Sequence, residues 1–122
     1  DNQNNSSKAY TEFIIEKNPK LALKHILNYP NPFTTKTGFY FEHNQTSENL
    51  EIIIHIHTIT GKIIKTLEGT YSSTSKRIGP IQWDGLDEFG DKIGKGVYVY
   101  QITVKNKKGE TDKGIQKLVL LR

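Results

Sequence analysis

Apolar residues in this chain alternate with polar ones, and no window repeats them at helical spacing over two or three turns. Residues 50–59 are the clearest case. Leu50, Ile52, Ile54 and Ile56 share one face, and Glu51, Ile53, His55 and His57 share the other. A period of two confines the chain to strands, and an apolar face on each strand needs a second layer to cover it.

The other segments keep that period. Residues 21–29 place Leu21, Leu23 and His25 on one side and Ala22, Lys24 and Ile26 on the other. In Tyr29-Pro30-Asn31-Pro32-Phe33, each proline pushes its predecessor out of the α region, so an extended corner is expected, anchored to the core by Tyr29 and Phe33. Residues 37–43 put Phe39, Phe41 and His43 on one face. Thr60-Gly61-Lys62 is a tight turn between the strand at 50–59 and a strand at 63–67, followed by a Ser/Thr-rich loop over 68–77. Residues 96–105 pair with 111–121 across Asn106-Lys107-Lys108-Gly109.

The centre of the pattern is residues 81–98. Trp83, the single tryptophan, closes an apolar run. A turn dense in Asp and Gly follows, and then Gly96-Val97-Tyr98-Val99-Tyr100, the most strand-like run in the chain. An indole that buries its body and satisfies its N–H at one edge is a natural centre for a small core. About seven short strands separated by turn signals predict an all-β, immunoglobulin-like antiparallel β-sandwich.

At 122 residues there is room for one domain with a real core. Residues 1–18, Asn-rich and then strand-like over 10–16, are expected to be the final strand of a preceding β domain plus a linker. Residues 19–122 then form the sandwich. A start at Asp1 without an apolar leader suggests a piece of a longer chain. With no cysteine there is no disulfide framework and no thiol nucleophile. No apolar run approaches the roughly 18–20 residues that span a bilayer, so direct membrane insertion is not expected. The net charge of +4 comes from lysines scattered over polar strand faces and turns, which reads as a solvated surface rather than a nucleic-acid patch.

Chemistry is scarce. His55 and His57 place two imidazoles on one strand face, a spacing used in some zinc sites, with His43 and Glu51 as further ligand candidates; surface histidines explain them more simply. Asp84, Asp87, Glu88 and Asp91 cluster in the long turn, but their spacing is not that of a helix–loop–helix calcium loop, and Asx-turns account for them. Neither a metal nor another cofactor is assigned. No serine is set beside a histidine in a way that proposes a nucleophile and base, so the segment is not expected to be an enzyme.

Tyr29-Pro30-Asn31-Pro32-Phe33, Ile59-Thr60-Gly61-Lys62-Ile63-Ile64, Gly96-Val97-Tyr98-Val99-Tyr100 and Lys117-Leu118-Val119-Leu120-Leu121 occur in this order. Together they resemble the C-terminal sorting domains of the Bacteroidetes type IX secretion system, over roughly residues 21–122. The long turn after Trp83 is similar to those of the system's own sortase and of the flagellar hook-capping protein's Ig-like domain. The resemblance implies a non-catalytic signal or docking domain, with any cysteine-peptidase part upstream. It implies delivery through the periplasm to the outer membrane and cell surface. The implied partners are an outer-membrane β-barrel shuttle protein (PorV-like) and the secretion translocon. The partner-binding residues it implies are Lys117, Leu118, Val119, Leu120, Leu121 and Arg122, with Gly61 and Lys62. A terminal strand offers backbone hydrogen bonds at a sheet edge, and an unpaired first segment favours strand exchange between copies. Pro30, Asn31 and Pro32 are assigned to folding. The alternatives are an assembly module of the hook-capping type and a cell-surface adhesion domain.

Overall fold

The computed structural model describes residues 20–45 and 48–121. The strand and linker expected over residues 1–18, and Arg122, lie outside the described residues. Seven strands follow in order: β1 (Leu23–Tyr29), β2 (Thr37–His43), β3 (Glu48–His57), β4 (Ile63–Ser73), β5 (Arg77–Trp83), β6 (Gly96–Lys105) and β7 (Thr111–Leu120). They build two sheets, β1-β2-β5 and β4-β3-β6-β7, with antiparallel ladders throughout. The described residues contain no helix. This is the expected Ig-like β-sandwich.

The alternation read in β3 holds: Leu50, Ile52, Ile54 and Ile56 are fully buried, while Ile53, His55 and His57 sit half-buried on the outer face. Phe39 and Phe41 of β2 and Ile78, Ile81 and Trp83 of β5 meet them from the other sheet. Tyr100, Ile102 and Val104 of β6 and Leu118 and Leu120 of β7 complete the core. Removing this much apolar surface from water drives the fold, at roughly 25 cal/mol per Å². Tyr100 lies edge-on to Phe39, with ring centroids 4.7 Å apart. Its buried hydroxyl has no hydrogen-bond partner among the described residues, and burial pushes its pKa well above the usual phenol value.

Three expectations need correction. In β1 the alternation breaks at His25, which adopts a φ of 55°, and the register shifts between Lys24 and Leu27. The bulge turns Ile26 and Asn28 inward and sends His25 out to pair with Glu42 at 2.9 Å. Tyr29 does not anchor the corner: it is 70% exposed, and buried Asn28 takes the inward place. Residues 68–73 are not loop, because β4 runs to Ser73 and carries half-buried Tyr71 against the core.

One end of the sandwich is a polar network. Asn106, only 4% exposed, accepts the N–H groups of Lys108 and Glu110 at Oδ1 and donates Nδ2 to Gln45 Oε1 and Glu110 Oε1. The Asn106 amide and the Leu21 N–H, in that order, hold the Glu110 carboxyl below its usual pKa. Nearby, buried His43 meets the Ser75 carbonyl through Nε2 and accepts the Gln45 N–H at Nδ1. That arrangement requires the neutral imidazole, and burial lowers the pKa of His43.

Candidate functional site

The Pro-Asn-Pro-Phe corner is built to close a sheet edge. β7 is the outer strand of the four-stranded sheet, so its free side would present unpaired peptide groups. Asn31 reaches across and acts as a substitute peptide. Its Nδ2 donates to the Lys117 carbonyl at 3.3 Å, and its Oδ1 accepts the Val119 N–H at 3.0 Å. Phe33 continues the seal, donating its N–H to the Val119 carbonyl at 3.0 Å and accepting the Leu121 N–H at 2.8 Å. The corner is itself held by the Thr37 hydroxyl, which donates to the Pro30 carbonyl at 2.8 Å, and by Asn28 Nδ2 on the Thr37 hydroxyl at 3.1 Å. Pro30, Asn31 and Pro32 therefore serve the fold, as expected.

This corrects the reading of the terminal strand. The edge from Lys117 to Leu121 does not offer a free ladder, because the chain's own corner takes these groups. Leu118 and Leu120 are fully buried and belong to the core. Within the terminal strand, among the described residues, Lys117, Val119 and Leu121 turn side chains outward, with Leu121 57% exposed. Replacing Asn31 with alanine should cost about 1–2 kcal/mol in urea denaturation and speed amide exchange at Val119. An unchanged Val119 exchange rate would refute the seal.

Tertiary topology brings the two expected segments to one end of the sandwich. His57, at the end of β3, pairs with Val99, and Val99 pairs with Lys117. His57 and Lys117 thus lie about 10 Å apart across two strand spacings, and the Gly61–Lys62 turn and the end of β7 fall at the same end of the sheet. That turn is shaped by Thr58, whose N–H and carbonyl pair with the Lys62 carbonyl and the Gly61 N–H. Gly61 sits at a φ of 100°, which a side chain would resist.

The same end collects exposed apolar surface. Among the described residues, six of the eight large apolar side chains that are exposed lie there: Tyr29, Ile59, Ile63, Phe89, Val97 and Leu121. Phe89, at the tip of the long turn, is 88% exposed. That turn is pinned beside β4: the Glu88 N–H donates to the Ile64 carbonyl at 3.0 Å, and the Glu88 carboxylate accepts the Thr66 N–H at 3.1 Å. Between them lies a cleft of about 290 Å³ lined by Lys62, Ile63, Ile64, Asp87, Glu88 and Phe89. Exposed Lys62, Lys92, Lys95 and Lys117 stand around this pole. The opposite end carries the polar Asn106 network.

The metal candidates do not converge. His43 is buried in the three-stranded sheet, while His55 and His57 lie on the outer face of the other. No group of three or more potential ligands forms among the described residues. In the long turn, Asp84 Oδ1 accepts the Leu86 N–H, and Asp87 Oδ1 accepts those of Phe89 and Asp91. These are the Asx-type bonds that the composition suggested.

No protein-family model and no curated protein matches the chain. Among solved structures, it superposes on part of dimeric latent PorU from Porphyromonas gingivalis. The fold is shared with PorU. The TM-score is 0.69 at 24% sequence identity, over 85% of this chain and 10% of the PorU chain. This chain thus corresponds to about a tenth of PorU's length, and the likeness is one of fold. A second structure, CopC from Methylosinus trichosporium OB3b, gives a TM-score of 0.41 at 14% identity, over 79% of this chain and 93% of that one. At that score the superposition carries no argument. The PorU-like sandwich is thus the frame on which the apolar pole is displayed. Reading residues one at a time missed the pole, since single exposed apolar side chains are ordinary and only the fold places six of them together.

Proposed function

We propose that this domain is a non-catalytic docking module for type IX secretion. It directs or retains its parent chain at the outer membrane and cell surface by binding a β-barrel shuttle protein of the PorV kind and, through it, the translocon. The observation that carries this reading is the apolar pole, where the Gly61–Lys62 turn and the outward residues of the β7 end meet exposed Ile59, Ile63, Phe89, Val97 and Leu121. The fold shared with PorU supports it. Exposed aromatic and aliphatic side chains at one end of the sandwich, with lysines among them, suit a partner surface with an apolar centre and an acidic rim.

Deleting residues 117–122 is a poor test, because it removes buried Leu118 and Leu120 and the bonding partners of Asn31 and Phe33. Surface substitutions avoid this. Phe89→Asp combined with Leu121→Asp should reduce capture of the purified shuttle barrel at least tenfold, with Tm held within about 2 °C. Failure of the well-folded wild-type domain to bind the barrel would defeat the docking reading and favour an assembly module.

A further inference from the structure

We propose that the outer face of the β1-β2-β5 sheet binds an acidic glycan, stacking its sugar rings on Tyr29 and Leu27 and taking a uronate carboxylate on Arg77. Strand register places these residues on one surface. Tyr29 pairs with Gly38 and Gly38 with Gln82, Leu27 pairs with Tyr40, and Lys24 and Arg77 both pair with Glu42. Paired residues share a face, as do residues two apart in one strand, so Gly38, Tyr40 and Glu42 form its midline. This face is turned away from the core, which takes Asn28, Phe39, Phe41, Ile78 and Ile81.

Two glycines keep the surface low. A β-carbon on Gly38 would come 2.7 Å from that of Pro80, so the proline ring lies over Gly38. A β-carbon on Gly79 would come 2.5 Å from the Tyr40 ring, so the phenol lies down against β5. The Arg77 guanidinium stands 4.9 Å from the centre of that ring, a contact that holds its planar fork in place while the residue stays exposed. On the β1 side, Tyr29 is 70% exposed and Leu27 40%.

Chemistry and size together select the ligand. Tyr29, Leu27, Tyr40 and Pro80 form a low apolar patch, and the C–H face of a pyranose ring can lay its apolar area on such a surface. Four side chains fall well short of the roughly 20–30 residues that a stable protein interface takes from each side. The charge at the far end of the patch is complementary to an anion. Glu42 is the single acidic residue in these three strands, and it is paired with His25 at 2.9 Å, which leaves a surplus of positive charge from Lys24 and Arg77. A guanidinium takes a carboxylate through two parallel hydrogen bonds. Between Gly38 and Glu42 the strand rises about 14 Å, so a ligand touching both Tyr29 and Arg77 must carry more than one ring. The site does not rest on the docking function and shares only Tyr29 with the apolar pole.

The test uses the full chain and trigalacturonic acid, with its methyl ester as the uncharged control. The acid should bind with a Kd of about 1 mM or tighter and shift the amide resonances of Leu27, Tyr40 and Gln82. The ester should bind about tenfold more weakly. Arg77→Gln should weaken binding of the acid about tenfold and leave that of the ester unchanged, whereas Tyr29→Ala should weaken both. Both variants should keep Tm within about 2 °C of the wild type. Phe89→Asp combined with Leu121→Asp should leave glycan binding intact, so loss of shuttle-barrel capture and loss of glycan binding are read separately. No binding of the acid at about 10 mM, equal binding of acid and ester, or resonance shifts confined to the apolar pole would overturn the proposal. A wild-type dimer that Tyr29→Ala dissociates would also overturn it, assigning the face to a second copy.

Discussion

Trp83→Ala is expected to lower the unfolding free energy by about 3–5 kcal/mol, a large share of the roughly 5–15 kcal/mol typical of a single domain. Trp83 is 2% exposed and joins three segments. Its ring stands 5.7 Å from Phe33 in the sealing corner and 6.4 Å from Phe39 in β2. Its Nε1–H donates to the Leu86 carbonyl at 2.9 Å and so fixes the start of the long turn. Truncation leaves a cavity under all three, and because Phe33 carries the backbone bonds to β7, the damage reaches the apolar pole. Trp83→Phe keeps much of the packing and loses the indole bond, so about 1–2 kcal/mol is expected there. Urea denaturation followed by far-ultraviolet circular dichroism measures both, since fluorescence is lost with the indole. A loss under about 1 kcal/mol for the alanine variant would mean that the core is not centred on this ring.

Asn106→Ala should be nearly as costly, at about 2–4 kcal/mol, counting roughly 1 kcal/mol for each of four hydrogen bonds. The side chain closes the β6–β7 turn through the Lys108 and Glu110 N–H groups and ties that turn to Gln45 and the Glu110 carboxylate. Its removal takes away the shared partner of these part-buried polar groups. Asn106→Asp keeps both backbone bonds but sets a carboxylate against Glu110 Oε1, which lies 2.8 Å from the present amide. The aspartate variant should therefore recover stability as pH falls far enough to protonate one of the two carboxyls, whereas the alanine variant should not. Thermal unfolding of both variants between pH 7 and pH 4 separates the two effects. Parallel pH profiles would show that the amide-to-carboxylate contact contributes nothing.

The sequence was readable wherever one residue's surroundings follow from its near neighbours. Leu50, Ile52, Ile54 and Ile56 alternate without interruption, and the strand and its buried face were recovered together. Trp83 and the Asp-rich turn were legible for the same reason, since an Asx-turn is a bond of an aspartate to a peptide group two residues on. The reading failed at β1, where the bulge at His25 inverts the alternation, because a bulge is decided by what the strand must fit against. It failed again in residues 68–73, where Ser and Thr suggested loop and pairing with β3 extended the strand.

The candidate surface divides in the same way. The family resemblance singled out the Gly61–Lys62 turn and the last strand as separate motifs, and proline geometry marked the Pro-Asn-Pro corner as structural. That Asn31 substitutes for a peptide on Lys117 and Val119, 86 and 88 positions away, has no local signature. Nor does the gathering of Tyr29, Ile59, Ile63, Phe89, Val97 and Leu121 at one pole, since each is an isolated apolar residue in its own stretch of chain. By itself, the sequence determined the all-β class, the buried faces of the central strands and the chemistry of the turns, because periodicity and turn geometry act over two to four residues. Only the tertiary structure decided how the β7 edge is sealed and which exposed side chains gather at one end of the sandwich, because those depend on strand order and on contacts between residues far apart in the chain.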